Sequence, residues 1–216
     1  MYNGRFVENE SFAALSIQGH EPGLNIPLVE SLIDICSYGS GHRIERGISL
    51  ITSGIRLPRY IDFLCLCDTS IAITFHGANA EDNDEVYGAH VFRDAVAGIK
   101  AAGKKSGAWT IHTTLVLCPE RFDKLIKIPY LLADLGITQL TIGLEITYDA
   151  RGVEVLVHTR EQVLPYIERF EWLCDRLGIT LKVSNEVGQA ENIAPKHLLS
   201  PRYEDINLIC RFDQAT

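Results

Sequence analysis

The stretch Ser70-Ile71-Ala72-Ile73-Thr74-Phe75-His76 sets small or polar residues at one parity and Ile71, Ile73 and Phe75 at the other. Period-two alternation of that kind specifies a β-strand with one apolar and one polar face. Working outward, Arg59–Cys67 reads as a short helix and Ile48–Thr52 as the preceding strand. Before that, Ser11–Gln18 reads as a strand, then a turn, then a helix with Pro27 near its start that ends at Gly39 and Gly41. Downstream, a polar loop over Asn79–Val86 leads to a helix from His90 to Ala102, and Trp109–Leu117 forms a strand. Glu120–Leu135 follows as a helix that Pro129 is expected to kink. Ile137–Ile146 is a strand, Tyr148–Val157 a small hairpin around Arg151 and Gly152, Glu161–Leu177 an amphipathic helix and Ile179–Ser184 a last strand. The fold class expected is α/β, with about six parallel strands and five connecting helices. Such units close into a partial TIM-like barrel, and a doubly wound sheet stays open as the other arrangement. The barrel domain is placed at 1–186, with 187–216 as a tail or cap.

The chain has 216 residues, of which 46% are hydrophobic, enough for one domain with a sizeable core. Its net charge of −8, with basic residues scattered, disfavours nucleic acid or an anionic membrane as a partner. No run approaches the ~20 apolar residues that span a bilayer, and Arg5, Glu8 and Glu10 interrupt any apolar leader. A cytoplasmic location is the expectation. Six cysteines, none in a C-x-x-C pair, read as reduced and mostly buried thiols.

Three turns at the ends of successive strands carry a family resemblance. Gly19-His20-Glu21-Pro22-Gly23-Leu24 resembles the Gly-Gly-Glu-Pro-Leu-Leu element of radical S-adenosylmethionine (SAM) enzymes. Thr52-Ser53-Gly54-Ile55-Arg56-Leu57 is similar to their Thr-Asn-Gly-x-x-Leu turn. Thr74-Phe75-His76-Gly77-Ala78 takes the place of their Ser-Leu-Asp-Gly turn, and Phe92-Arg93-Asp94-Ala95-Val96-Ala97-Gly98-Ile99 resembles their Phe-x-x-Ala-x-x-Gly-Ile helix. In that family the Gly-Gly-Glu-Pro loop contacts the SAM amino group, so the resemblance implies that role for Gly19, Glu21 and Pro22. A glycine-rich turn exposes carbonyls, and a carboxylate can pair with an ammonium. His20 stands where the family has its second glycine. The resemblance further places SAM or a substrate on Ser53, Thr74, His76 and Glu145.

The family's cluster-binding motif, Cys-x-x-x-Cys-x-x-Cys, does not occur in this sequence. It belongs on a loop before the Gly-Gly-Glu-Pro strand, where only ten residues precede Ser11, none of them cysteine. Cluster iron needs converging thiolates. Cys65 and Cys67 fall on different faces of a helix, and Cys118 alone ends a strand. A [4Fe-4S] cluster held by this chain alone is therefore not expected.

Taking the polar parity of each strand as inward gives a cavity lined by Ser16, Gln18, Thr74, His76, His112 and Thr114. Gln139, Thr141 and Glu145 follow from the next strand, with Gly143 leaving space, and Lys182 and Ser184 from the last. Glu145 is the candidate general base and His112 its candidate catalytic companion, both from position at barrel strands. Three functions compete. One is a radical SAM-like protein that binds SAM or a small substrate, its cluster-bearing unit lying on a protein partner or on residues outside this sequence. That partner, or a second copy, would cover the open edge at Ser11–Gln18. The second is a non-catalytic binding or scaffold subunit of the same fold. The third is a metal-dependent isomerase or hydrolase using His76, His112 and Glu145.

Overall fold

A computed structural model of the chain describes residues 15–17, 21–38, 48–64, 69–105, 110–148 and 154–183. The expectations for Gly19, His20, the turn at Arg151 and Gly152, and the tail 187–216 lie outside these residues. The chain divides into two compact units, Met1–Thr74 with His90–Ile111 and Phe75–Ala89 with His112–Thr216.

The first unit holds β1 (Leu15–Ile17), α1 (Ile26–Tyr38), β2 (Ile48–Thr52), α2 (Leu57–Leu64), β3 (Thr69–Thr74) and α4 (Phe92–Ala102). Its strands pair in parallel, β1 with β2 and β2 with β3, in a register that sets Leu50 beside Ile71 and Thr52 beside Ile73. Ile48, Leu50, Ile71 and Ile73 are buried, while Ser49, Ile51 and Ser70 on the other parity are not. Burying each of these branched side chains contributes about 1.5–3 kcal/mol, so the alternation fixes which face turns to the helices. Helix α4 buries Ala95, Gly98, Ile99 and Ala102, spaced as one helical stripe. A Cβ on Gly98 would come within 2.4 Å of Leu57. Only glycine allows α2 and α4 that separation.

The second unit holds α3 (Ala80–Tyr87), β4 (Thr110–Leu117), α5 (Phe122–Leu125), α6 (Ile128–Asp134), β5 (Gln139–Leu144), a hairpin of β6 (Ile146–Tyr148) with β7 (Glu154–Leu156), α7 (Arg160–Leu177) and β8 (Thr180–Val183). Of β4, residues from His112 onward belong to it. Here β4 pairs with β5 and β5 with β8, all parallel. Leu115, Leu117, Leu140 and Ile142 are buried, and the register aligns Thr114, Thr141 and Lys182 as one row on the polar face. Thr113 breaks the pattern. It is buried among the apolar set and donates its hydroxyl to the Gln139 carbonyl at 3.3 Å.

Helix α7 starts at a capping box between Thr159 and Gln162 and stops at Gly178 in the left-handed region. It buries Val163, Ile167, Phe170, Leu173 and Cys174; burial pushes the Cys174 thiol up to about 11.

Two expectations are corrected. The segment expected as a loop over Asn79–Val86 is instead the N-cap and most of helix α3: the Asn79 side chain accepts from Asp82 N, Glu81 and Asp82 occupy the first turn, and Gly88 terminates it at φ 62°. Hydrophobic period misses it because Asn83 is the one residue it fully buries. The helix expected over Glu120–Leu135 is a 3-10 turn (Pro119–Arg121) followed by α5 and α6, and Pro129 lies in the first turn of α6 instead of kinking a continuous helix. Among the described residues, the β3–β4 and β4–β5 connections thus carry two α-helices each.

Candidate functional site

In the first unit, Glu21 lies in the turn beyond β1 and caps the 3-10 turn Pro22–Leu24. Its Oε1 accepts from Gly23 N at 2.8 Å and Thr52 Oγ1 at 2.5 Å. Its Oε2 accepts from Ser53 N at 2.7 Å and from Ser53 Oγ. A carboxylate offers about four acceptor positions, and four neutral donors meet this one. The sequence reading gave Glu21 to an ammonium; here its carboxylate ties the turn beyond β1 to the turn beyond β2. Gly23 is required at that junction, since a Cβ would lie 2.2 Å from the Ile55 carbonyl. Pro22 is buried, fixing the backbone of the same turn. Thr52 Oγ1 also accepts from Gly54 N at 2.9 Å and lies 3.4 Å from the Tyr60 hydroxyl. Burial first, and then the Glu21 charge, push the Tyr60 phenol up to about 12 against the Thr52 contact.

Gly54 has φ 89°, and a Cβ there would lie 2.5 Å from that of Ala95, so the turn needs glycine twice over. Thr74, the last residue of β3, is half-buried and engaged within the fold.

In the second unit, His76 donates its backbone N–H to the buried Asn83 Oδ1 at 2.9 Å, and its ring meets Tyr87 edge-on at 4.9 Å. Burial, and then the Arg121 charge, lower the imidazole below its ordinary value, so it is neutral at pH 7. Arg121 donates to the Asp82 carbonyl at 2.8 Å and pairs with Glu85 at 3.3 Å, while its Nε is buried without a partner among the described residues. Lys124 closes the cluster on Asp82 at 3.0 Å and Glu85 at 3.2 Å.

His112 and Glu145 do not meet. His112 is the third residue of β4, lowered by burial and then by Lys182. Glu145 follows the C-terminal end of β5, at the opposite end of the same paired strands. Its neighbours there are residues the sequence reading did not assemble. Cys118, next after β4, donates its thiol to Glu120 at 3.1 Å. His158 Nε2 lies 3.7 Å from Glu120 and 3.8 Å from Glu145, and the Glu145 carbonyl accepts from Val157 N at 3.0 Å. Burial and the two carboxylates raise the Cys118 thiol, keeping it protonated at neutral pH. A strand-end Cys118 was the legible signal. His158, just before the Thr159 cap, carried none. Among the described residues no three His, Cys, Asp or Glu side chains are grouped to hold a metal ion, so the trio His76, His112 and Glu145 is not one site.

Among the described residues no helix is long and apolar enough to cross a membrane. No protein-family model matches the chain, and no curated protein matches it. Solved structures do match. SuiB from Streptococcus suis, bound to S-adenosylmethionine, superposes at TM-score 0.60 and 11% identity, over 79% of this chain and 39% of that one. A radical SAM methyltransferase from Sphaerobacter thermophilus gives 0.51 and 17%, over 76% and 48%. The enzyme anSMEcpe with bound AdoMet gives 0.57 and 14%, over 82% and 51%. The chain thus spans about two fifths to one half of the length of the structures it matches. At these identities the likeness establishes architecture: the chain has an α/β fold with a parallel sheet, like that of the radical SAM enzymes it superposes on.

Proposed function

We propose that this chain is a cytoplasmic radical SAM-like barrel protein that binds SAM or a small substrate at its strand ends, with the cluster-bearing unit supplied by a partner. The observation that carries the reading is the Glu21 junction: the Glu21-Pro22-Gly23 turn and the Thr52-Ser53-Gly54 turn, both family-like in sequence, are locked to one another by a single carboxylate. A pre-organised turn of this kind holds backbone groups for a ligand without a side-chain rearrangement. With the carboxylate occupied by neutral donors, contact to the SAM ammonium falls to carbonyls of the turn, Gly19 among them, and Glu21 positions that turn. Ser53, Thr74 and His76 are the side chains assigned to the rest of the ligand. Glu145 is assigned the proton chemistry, and His112, at the opposite end of the paired strands, takes no part in that step. Strand β1 pairs only with β2 among the described residues, leaving an edge that a partner or second copy would cover.

A non-catalytic binding or scaffold subunit of the same fold is the second reading, favoured by the missing three-cysteine motif. Anaerobic iron–sulfur reconstitution, of the chain alone and mixed with the products of neighbouring genes, separates the two. The first reading expects cluster absorbance and SAM cleavage only in a mixture. SAM binding without cluster uptake in any mixture supports the scaffold. Neither binding nor uptake ends the SAM reading.

A further inference from the structure

At the turn after β2 lies a cavity of about 320 Å³, lined by Ile55, Arg56, Pro58, Arg59, His90 and Asp94. All six residues belong to the first unit, and none is among those assigned to SAM. In a chain of net charge −8, this lining is locally cationic: two guanidiniums against one carboxylate. The carboxylate is already engaged, because Asp94 Oδ2 accepts from the Arg56 backbone N–H at 2.8 Å. Among the described residues neither guanidinium is in an ion pair.

Arg56 is the sole non-glycine residue with positive φ among those described, at 54°. The left-handed region costs a residue with a Cβ about 1 kcal/mol, and an observed outlier of this kind is a reason to ask what the side chain is placed to do. Arg56 lines the cavity together with Arg59. The first turns of α2 and α4 also border the cavity, adding their positive dipole ends to the same field.

We propose that this cavity binds the phosphate group of a small phosphorylated molecule. Two guanidiniums match a dianion, since each can give paired N–H donors to phosphate oxygens. A phosphate monoester carries about −1.5 to −2 at neutral pH, where a lone carboxylate carries one charge. The volume is at the small end of ligand pockets, which run from about 300 to 1,000 Å³, and suits a metabolite rather than a dinucleotide or a peptide. The site stands independently of the SAM reading, because it shares no assigned residue with it.

The test is a titration of the full chain with inorganic phosphate at constant ionic strength, followed by amide chemical shifts. Saturable shifts at Ile55, Arg56 and Asp94 are expected. The double variant Arg56→Asn, Arg59→Gln should weaken binding about tenfold or more, the loss of two charge-assisted contacts. Asparagine tolerates the left-handed backbone at position 56. If the double variant does not fold, Arg59→Gln alone decides, with about threefold or greater weakening expected. Arg93→Gln, on the same helix outside the lining, should leave binding unchanged. Non-saturating shifts, unaltered affinity in the folded variants, or displacement by acetate at equal concentration would each overturn the proposal.

Discussion

Glu21 and Glu145 both lie just past parallel strands, in different units, and their carboxylates live in different surroundings. Glu21 receives four neutral donors, three of them at 2.5–2.8 Å, and bridges two turns that are 31 and 32 residues apart in sequence. Glu145 is 42% exposed at its side chain and lies 3.8 Å from an imidazole that also faces Glu120. One carboxylate is spent on architecture. The other is partly exposed beside an imidazole. The residue within the family-like motif is thus the one that ties two turns together.

That contrast sets an order of expected effects. Glu21→Ala should be the most damaging, at about 3 kcal/mol in urea denaturation, because it strands Gly23 N, Ser53 N and two hydroxyls in a part-buried junction. Thr52→Val keeps the shape but removes the hydroxyl shared by Glu21 and Gly54 N, and about 1.5 kcal/mol is expected from the same measurement. Glu120→Gln acts on the other region. Removing the charge beside Cys118 lets its raised thiol pKa fall, so alkylation by iodoacetamide at a fixed pH near 7 should speed up about threefold. His158→Gln should change stability least, by under about 0.5 kcal/mol, since its partners are 67% and 42% exposed. Equal destabilisation by Glu21→Ala and His158→Gln would erase the contrast.

The strands were legible because each alternates. Gln139–Leu144 buries one parity, Ser70–Thr74 buries Ile71 and Ile73 with the small Ala72 between them, and burial of Ile71, Ile73, Leu140 and Ile142 dominates their energetics. Helix α7 was legible from its period and Gly178. Helix α3 was not, because its stability comes from the Asn79 cap and charge placement rather than an apolar stripe. The break between α5 and α6 was hidden for a related reason: proline suits a first helical turn as well as it kinks an interior. At the site, motif spacing found Glu21 and Ser53 but could not tell an open carboxylate from a satisfied one. That depends on how many donors converge, which is a property of three dimensions. Nor could parity bring His158 to Glu145. The hairpin that returns the chain to the strand end is set by the β6–β7 register.

The central claim is that turns so locked hold a SAM site in this chain. Calorimetric titration of SAM into the purified protein tests it most directly. The account predicts one saturable site, lost on Glu21→Ala under conditions where circular dichroism shows the variant still folded. Heat no greater than buffer dilution for the parent chain would contradict it.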